Sequence, residues 1–278
     1  MTVHLPNYVN PIAYFRKLFS FFIRVVLSAG IPLRITSNVG NYSIRFMVHT
    51  FLEYHLRAKQ GYKREPITVS WILDMIDKDD VVYDIGANVG TYSLLIGLKM
   101  TSGSGRVFAF EPEAANFLSL NENIKLNKLG KRVIGYPIAF SDSSRSTHLF
   151  LSSNVRGSAC HAIDAPESEG KQYVAEHTQG IYVLAVDEFF DKSDAPAPNH
   201  IKIDVDGAEL GIVVGMKKML QNHSLKTIMI EITEEKGGEE VQNIIAANGF
   251  KEAERQRWEN KRVSNVLYIK ENLVKDRN

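Results

Sequence analysis

The sequence predicts an α/β protein built on a doubly wound, mostly parallel sheet. Three observations favour this class. Short apolar segments alternate with helical segments from residue 66 onward, a glycine-rich stretch follows the first apolar segment, and the composition is globular. The 278 residues are 44% hydrophobic and 23% charged, which suits one or two domains. The single cysteine excludes an intrachain disulfide and a thiolate-rich zinc site, and it favours a reducing, cytoplasmic location.

The alternation predicts the elements in chain order. A helix is predicted over 67–76, directly after Pro66. Strands are then predicted at 81–85, 106–110, 133–140, 200–204, 227–232 and 266–270, and helices at 92–98, 114–129, 209–220 and 239–248. A short extra strand is expected at 148–151. The polar stretch over 152–180 is too long for a plain connector, so we interpret it as a lid or substrate loop.

The first 65 residues differ in charge from the rest of the chain. They carry nine basic and two acidic residues, a net charge of +7, whereas the other 213 carry 24 basic and 30 acidic residues, or −6. We therefore expect a basic, aromatic, helical extension over 1–65 and a second domain over 66–278. The overall charge of +1 gives no reason to expect a nucleic-acid partner.

Residues 12–35 combine aromatic, aliphatic and basic side chains. Arg24 and Pro32 leave no apolar run long enough for a transmembrane helix, and the pattern is not that of a signal peptide. We expect these residues to pack on the main domain, to contact another copy in a homo-oligomer, or to lie peripherally on an anionic membrane.

The loop after the first predicted strand reads DIGANVGT over 84–91. Gly86 and Gly90 allow a sharp turn and close approach to a ligand. The loop is not a P-loop, because no lysine follows, nor a dinucleotide fingerprint, because Asn88 occupies the second glycine position. Asp84 would repel a pyrophosphate and suits a cationic ligand such as S-adenosylmethionine. The simpler interpretation of Asp84 is a helix N-cap.

Two further strand ends complete the predicted cofactor site. The second strand is followed by Glu111 and Pro112, where an acid is placed to accept hydrogen bonds from ribose hydroxyls. The third is followed by Ser141 and Asp142, at the crevice where an adenine would lie. A solvated turn acid and a turn cap are the simpler interpretations of Glu111 and Asp142. Two acids on successive strands, at this spacing, favour S-adenosylmethionine.

These motifs resemble the FkbM family of S-adenosylmethionine-dependent methyltransferases. The stretches that carry the resemblance are 84–90, 110–112, 139–142, 186–189 and 201–209. The resemblance covers roughly residues 66–270. It implies a seven-stranded, Rossmann-like class I methyltransferase sheet with an antiparallel last strand. It also implies O-methylation, commonly of sugar or polyketide hydroxyls. The family usually has glutamate where this chain has Asp206.

A dense charged set follows the strand at 200–204, at the ligand-binding edge of the sheet. Its spacing does not fit an EF-hand. A hydroxyl acceptor must lose its proton, and Asp204 is the predicted base. Alternatively, Asp204 and Asp206 hold a divalent cation such as Mg²⁺ that acidifies the hydroxyl. Lys202 would orient these carboxylates or stabilise the developing alkoxide; a salt-bridge network without catalysis is the alternative.

Other side chains are expected to contact the acceptor. Glu209 and Glu231 lie at the same predicted edge of the sheet, and Arg156 and Tyr173 lie in the predicted lid, where they could bind a sugar. His161, also in the lid, is the histidine we expect to act if one of them is a general base.

The sequence therefore predicts an enzyme that transfers a methyl group from S-adenosylmethionine to a hydroxyl of a sugar, glycan or glycolipid. Four alternatives stay open: a non-sugar small-molecule acceptor, methylation of nitrogen or carbon, a catalytically inactive cofactor-binding scaffold, and a nicotinamide-dependent oxidoreductase. Asp84 and Asn88 argue against the last of these.

Overall fold

The computed structural model of the chain describes residues 11–168, 171–234, 237–258 and 262–274. Within this part the helices are α1 (Pro11–Ser28), α2 (Gly61–Arg64), α3 (Pro66–Met75), α4 (Thr91–Lys99), α5 (Ala114–Leu126), α6 (Val186–Lys192), α7 (Glu209–Val214), α8 (Lys217–Gln221), α9 (Gly238–Ala247) and α10 (Glu271–Val274), with a π-helical segment over Glu53–Lys59 and a 3-10 turn over Met100–Ser102. The strands are β1 (Leu33–Val39), β2 (Tyr42–Val48), β3 (Val81–Ile85), β4 (Arg106–Phe110), β5 (Val133–Tyr136), β6 (Ala139–Phe140), β7 (Arg145–Leu151), β8 (Ala162–Ile163), β9 (Glu167–Ser168), β10 (Lys171–Gln172), β11 (His177–Leu184), β12 (His200–Ile203), β13 (Thr227–Thr233), β14 (Phe250–Arg257) and β15 (Val263–Lys270).

Seven strands form the central sheet in the order β14-β15-β13-β12-β3-β4-β5. The neighbours from β13 to β5 are parallel, and β15 is antiparallel to both β13 and β14. This confirms the predicted doubly wound, mostly parallel sheet with an antiparallel last strand. The central strands β3, β4, β12 and β13 are mainly apolar and buried because both of their faces are covered. Val82 joins a core with α3, α4 and α5, and its neighbour Tyr83 joins a second core with α6 to α9.

The strand order reverses between β3 and β12, and this reversal positions the functional site. The chain passes from β3 to β4 and β5 on one side, and from β12 to β13 on the other. Crevices for ligands form at the carboxyl ends of strands at such a switch point. Here the Asp204 amide donates to the Ile85 carbonyl at 3.1 Å, so the loops after β3 and β12 lie against each other.

Three predicted elements differ from the structure, and one strand was missed. Strand β14 was not predicted, because its sequence FKEAERQR is polar; it lies at the sheet edge, where only Phe250 is buried. The predicted strand 133–140 divides at Pro137, and β6 leaves the main sheet to pair with β11. The predicted helix 209–220 divides into α7 and α8 around Gly215. The predicted lid over 152–180 contains β8 and the start of β11, which belong to a second sheet of order β6-β11-β7-β8.

The segment over 1–65 is helical only in part. Residues 33–48 form a hairpin in which β1 and β2 pair antiparallel around Gly40 (φ +53) and Asn41. The sequence of this hairpin alternates apolar and polar residues on either side of a Gly-Asn turn, and this pattern is typical of strands rather than helices. The hairpin buries Ile44 and Phe46 in the same core as α3 and α4.

The hairpin is also hydrogen-bonded to two asparagine side chains, one in α5 and one at its C-terminal end. The amides of Arg45 and Met47 in β2 donate to Asn127 Oδ1 at 2.9 Å and Asn123 Oδ1 at 2.8 Å. The unused edge of β2 is thus capped by side chains instead of by another strand. A division at residue 65 therefore does not separate two hydrophobic cores.

Candidate active site

A cleft opens at the carboxyl ends of β3, β4 and β12. It contains about 1060 Å³ of space unfilled by protein atoms, part of it open to solvent. Its walls come from the loop after β3, the ends of β4 and β12, residues 138–140, the π-helical segment with α2, and the insertion after β7. The position is the one expected from the strand order.

Gly86 is required by the close approach of two loops. It has φ +81, and a Cβ placed on it would lie 1.9 Å from the carbonyl oxygen of Asp204. No other residue leaves room for that oxygen. Asn88, at φ +50, turns the chain again, and its backbone amide donates to Glu111. Gly90, at φ +90, begins α4 but does not line the cleft; a Cβ there would lie 2.7 Å from Leu120 Cδ1.

Glu111 is a buried carboxyl group in the wall of the cleft, beside Pro112. Its oxygens accept hydrogen bonds from the amides of Asn88 and Glu113, both at 2.8 Å. Burial raises the pKa of Glu111 to about 8, although these two donors oppose the rise. Each carboxyl oxygen keeps a further lone pair, so the group can also accept from hydroxyls in the cleft, as the ribose interpretation requires.

Asp84 lies beneath the cleft rather than in its wall. It is buried, and its Oδ2 accepts from Ser93 Oγ at 2.5 Å. Its Oδ1 lies 3.8 Å from Lys202 Nζ and has no hydrogen-bond partner within the part of the chain that the structure describes. Burial raises its pKa, and the charge of Lys202 opposes the rise. Asp84 was expected to contact a cationic ligand directly. In the structure it lies beside Lys202 and does not line the cleft.

Ser141 and Asp142 also lie outside the wall. Asp142 accepts from Ser143 Oγ at 3.0 Å and lies 3.4 Å from Arg145 Nη1, on the exposed surface. The division of the predicted strand at Pro137 explains this, because residues 138–140 line the cleft instead and offer an apolar surface. An adenine would meet Ile138 and Phe140 rather than the polar pair.

Lys202 and Asp204 form the charged centre of the cleft. Lys202 Nζ donates to Asp204 Oδ2 at 2.7 Å and lies 5.0 Å from the centre of the Tyr92 ring. Burial by itself would lower the pKa of Lys202, but the carboxylates of Asp204 and Asp84 raise it above its usual value, so the ammonium stays charged. The Asp204 side chain is 31% exposed, so an acceptor can reach it.

Asp206 connects the end of β12 to the insertion. Its Oδ2 accepts from the backbone amide of Cys160 at 2.7 Å, and its backbone lies in the left-handed region at φ +59. Burial raises the pKa of Asp206, and the charge of Asp204 adds to the rise. Asp206 lines the cleft, but this hydrogen bond makes it a residue that holds the insertion in place.

Three glutamates surround this centre. Glu65 lines the cleft, whereas Glu209 and Glu231 stand behind the wall. Burial raises the pKa of Glu209 to about 7 and that of Glu231 well above its usual value, and for both the charges of Asp204 and Asp206 add to the rise. Burial and Asp204 likewise raise the pKa of Glu65. Glu209 accepts from the Gly207 amide at 2.9 Å, so it shapes the loop rather than contacting an acceptor.

The insertion places His161 in the cleft. The Ser152 amide donates to its Nδ1 at 3.3 Å, and its Nε2 is buried with no partner among the described residues. Burial lowers the pKa of His161, so the ring is neutral at pH 7. Because Nδ1 accepts, the ring proton belongs on Nε2, which makes this nitrogen a donor. In this tautomer His161 offers a hydrogen bond to the acceptor rather than taking its proton.

Arg156 and Tyr173, two predicted acceptor contacts in the insertion, lie away from the cleft wall. Arg156 Nη1 lies 3.2 Å from Glu122 Oε2, and the Tyr173 hydroxyl donates to the Phe150 carbonyl at 2.6 Å. Both side chains hold the insertion to neighbouring elements. These contacts give no reason to place either side chain against an acceptor.

The N-terminal segment supplies cleft residues that the sequence analysis missed. Arg57 and Arg64 line the cleft, and neither forms an ion pair within the part of the chain that the structure describes. Arg57 donates from Nε and Nη2 to the Gly157 carbonyl at 2.9 and 2.8 Å. Arg64 lies 5.0 Å from the Trp258 ring. The charge of +7 over residues 1–65 was the signal available for them.

The predicted metal site has no support in this arrangement. Among the described residues, no group of three or more His, Cys, Asp or Glu side chains could hold a metal ion. Asp204 is hydrogen-bonded to Lys202, and Asp206 to the Cys160 amide. The structure therefore gives no support for Mg²⁺ at Asp204 and Asp206.

The cleft fits S-adenosylmethionine. Glu111 can accept from ribose hydroxyls, and Phe140 belongs to an apolar wall suited to a base. The lining carries the carboxyl groups of Glu65, Glu111, Asp204 and Asp206. An acid-rich lining suits a ligand with a sulfonium and an ammonium group.

The affinity for S-adenosylhomocysteine is expected to depend on pH through Glu111. The free carboxyl has a pKa of about 8. Ribose hydroxyls are bound best by the ionised form, so binding releases a proton below that pH. Affinity should rise by up to about tenfold per pH unit toward pH 8 and level off above it. Calorimetric titrations at several pH values measure this. Glu111→Gln should bind weakly with a flat profile; an unchanged profile would remove Glu111 from the cofactor site.

Sequence relatives agree with this geometry. Residues 84–253 match the methyltransferase FkbM domain family. The hexuronic acid methyltransferase AglP of Haloferax volcanii is 29% identical over 198 residues, which cover 70% of this chain and 73% of the relative.

Two solved structures of similar proteins show weaker likeness. The methyltransferase FkbM from Methylobacillus flagellatus has a TM-score of 0.48 at 18% identity, over 71% of this chain and 45% of that chain, so this chain spans less than half of that protein. TYW2 of M. jannaschii, solved in complex with AdoMet, has a TM-score of 0.43 at 16% identity, over 84% of each chain.

None of the helices within the described residues is long and apolar enough to cross a membrane.

Proposed function

The chain belongs to the FkbM family of S-adenosylmethionine-dependent methyltransferases, and from this premise we propose that it methylates a hydroxyl oxygen of a sugar, with a uronic acid as the acceptor. The observation that carries the acceptor class is the presence of two arginines, Arg57 and Arg64, in a cleft otherwise rich in carboxyl groups. Arginine binds carboxylates in a two-pronged geometry that lysine lacks. The name of the relative AglP points to the same class of acceptor.

Asp204 is the group best suited to take the hydroxyl proton. When bound, S-adenosylmethionine supplies an electrophilic methyl group. Lys202 Nζ donates to Asp204 Oδ2 at 2.7 Å and so fixes the position of this carboxyl group. Asp204 remains 31% exposed, so a hydroxyl can approach its free oxygen. General-base assistance of this kind contributes about a hundredfold to ten-thousandfold in rate.

Two further side chains orient the acceptor in this proposal. His161 donates from Nε2, which has no partner in the described part of the chain, to an oxygen of the sugar. Arg64, exposed at the edge of the cleft, binds the sugar carboxylate, while Arg57 contributes its remaining Nη1 and its charge. Fixed donors on both sides of the ring hold one hydroxyl against Asp204, which lowers the entropic barrier to transfer.

The acceptor proposal is tested by comparing two matched acceptors, a glucuronoside and the corresponding glucoside, in a methyl-transfer assay. We expect the glucuronoside to be the better substrate. Arg64→Gln should raise KM for the glucuronoside by up to about fivefold, because an exposed charge pair contributes at most about 1 kcal/mol, and should leave KM for the glucoside unchanged. Lys63→Gln, one residue away and outside the cleft wall, is the control and should change neither value. Equal rates with both acceptors would contradict the uronic acid assignment.

A further inference from the structure

Helix α1 is apolar on two opposite sides. Ile23 and Leu27 are 5% exposed and belong to the main core. Phe21 and Phe22, on the other side, are 66% and 61% exposed, and three more apolar side chains are about half exposed: Leu18, Phe19 and Val25. At 3.6 residues per turn, the exposed set is centred opposite Ile23 and Leu27. No described residue covers this face, which we call the outer face of α1: Leu18, Phe21, Phe22 and Val25.

A contiguous aromatic face of this kind marks an interaction surface, because single exposed apolar residues are common but grouped ones are costly in water. The helix is too short and too often interrupted by charge to span a bilayer, and none of the described helices could do so. Its outer face can nevertheless insert to a shallow depth while the inner face stays packed on the protein. This is the arrangement of an interfacial helix.

The charge of the N-terminal segment favours a bilayer over a second copy of the chain as the partner of the outer face of α1. The α1 sequence contains Arg16, Lys17 and Arg24 and no acidic residue, and residues 1–65 carry a net charge of +7. A symmetric dimer through the outer face would bring two such segments together, and like charges oppose that contact. An anionic membrane surface attracts the same charges, by about 1 kcal/mol for each basic residue near the surface.

We propose that the outer face of α1 docks the protein on anionic lipid bilayers, with the phenylalanines in the boundary between headgroups and acyl chains. This association is separate from catalysis, since none of the outer-face residues lines the cleft. It would hold the enzyme at a membrane surface through α1.

Sedimentation of the full-length protein with vesicles tests the proposal. Vesicles of phosphatidylglycerol and phosphatidylcholine should bind the wild type, more weakly as salt is raised, and pure phosphatidylcholine vesicles should bind it poorly. The double variant Phe21→Ser with Phe22→Ser should bind anionic vesicles at least about tenfold more weakly. Val174→Ser is the matched control: Val174 is 93% exposed, lies outside α1, and should leave binding unchanged.

Two results would overturn the proposal. One is equal vesicle binding by the double variant and the wild type, and the other is no binding of the wild type to anionic vesicles. Size-exclusion chromatography identifies the competing occupant: a wild-type dimer that becomes monomeric in the double variant would assign the outer face to a second copy. Both replaced side chains are mainly exposed, so the double variant should keep the fold and the affinity for S-adenosylhomocysteine, which is measured alongside.

Discussion

Replacing Asp204 by asparagine is expected to lower kcat by about a hundredfold to ten-thousandfold, because the amide keeps the shape of the side chain but cannot take a proton. Asparagine can still accept a hydrogen bond from Lys202 Nζ, which lies 2.7 Å from the carboxylate in the wild type. The cofactor end of the cleft, with Glu111 and Gly86, is left unchanged. S-adenosylhomocysteine affinity should therefore stay within about twofold of the wild type.

The matched control is Asp142→Asn, which alters an exposed acid at another strand end that does not line the cleft. Its kcat should equal that of the wild type. Steady-state kinetics with the sugar acceptor measure both variants. Full turnover by Asp204→Asn would remove Asp204 from proton transfer, and a large loss of S-adenosylhomocysteine binding would mean that it serves the cofactor instead.

The second large effect is expected from Gly86→Ala. The added Cβ would lie 1.9 Å from the Asp204 carbonyl oxygen, and Gly86 has φ +81, which costs an L-residue about 1–2 kcal/mol. The loops after β3 and β12 must then separate, so both ends of the cleft shift. We expect S-adenosylhomocysteine affinity to fall at least about a hundredfold, together with a lower Tm.

Two other glycines separate the causes of this loss. Gly249 has φ +79 but no atom within 4 Å of a built Cβ, so Gly249→Ala adds backbone strain alone. It should lower Tm and leave the affinity unchanged. Gly130 has no neighbour within 4 Å and no positive φ, so Gly130→Ala should change neither. If Gly86→Ala behaved like Gly249→Ala in both assays, the contact with Asp204 would not determine the shape of the cleft.

The central sheet could be predicted because its strands are buried on both faces. Segments such as β3 and β12 read as short apolar runs between helices, and the glycine loop identified the switch point. Strand β14 could not be found this way, since its exposed edge position places no demand for apolar residues on seven of its eight positions. The hairpin over 33–48 had a visible alternating pattern, but the basic, aromatic residues before it suggested helix for the whole segment.

The candidate site was predicted in part. Glu111, Gly86 and Asp204 follow strands directly, so the parallel sheet brings them to one edge. Asp84 differs from these three because it lies within β3, where it is buried beside Lys202 and does not line the cleft. Arg57, Arg64 and Glu65 were missed because they reach the cleft from the segment before the sheet. That contact depends on tertiary packing, which spacing within the sheet cannot reveal. The catalytic roles of Asp204 and His161 stay predictions.

The separation of the cleft into a cofactor end at Glu111 and a transfer end at Asp204 is the central claim, and one calorimetric experiment tests it most directly. S-adenosylhomocysteine is titrated into the wild type, Glu111→Ala and Asp204→Asn. We expect the wild type and Asp204→Asn to bind alike and Glu111→Ala to bind at least about tenfold more weakly. Wild-type protein that is folded but does not bind, or Glu111→Ala protein that binds as well as the wild type, would contradict the account.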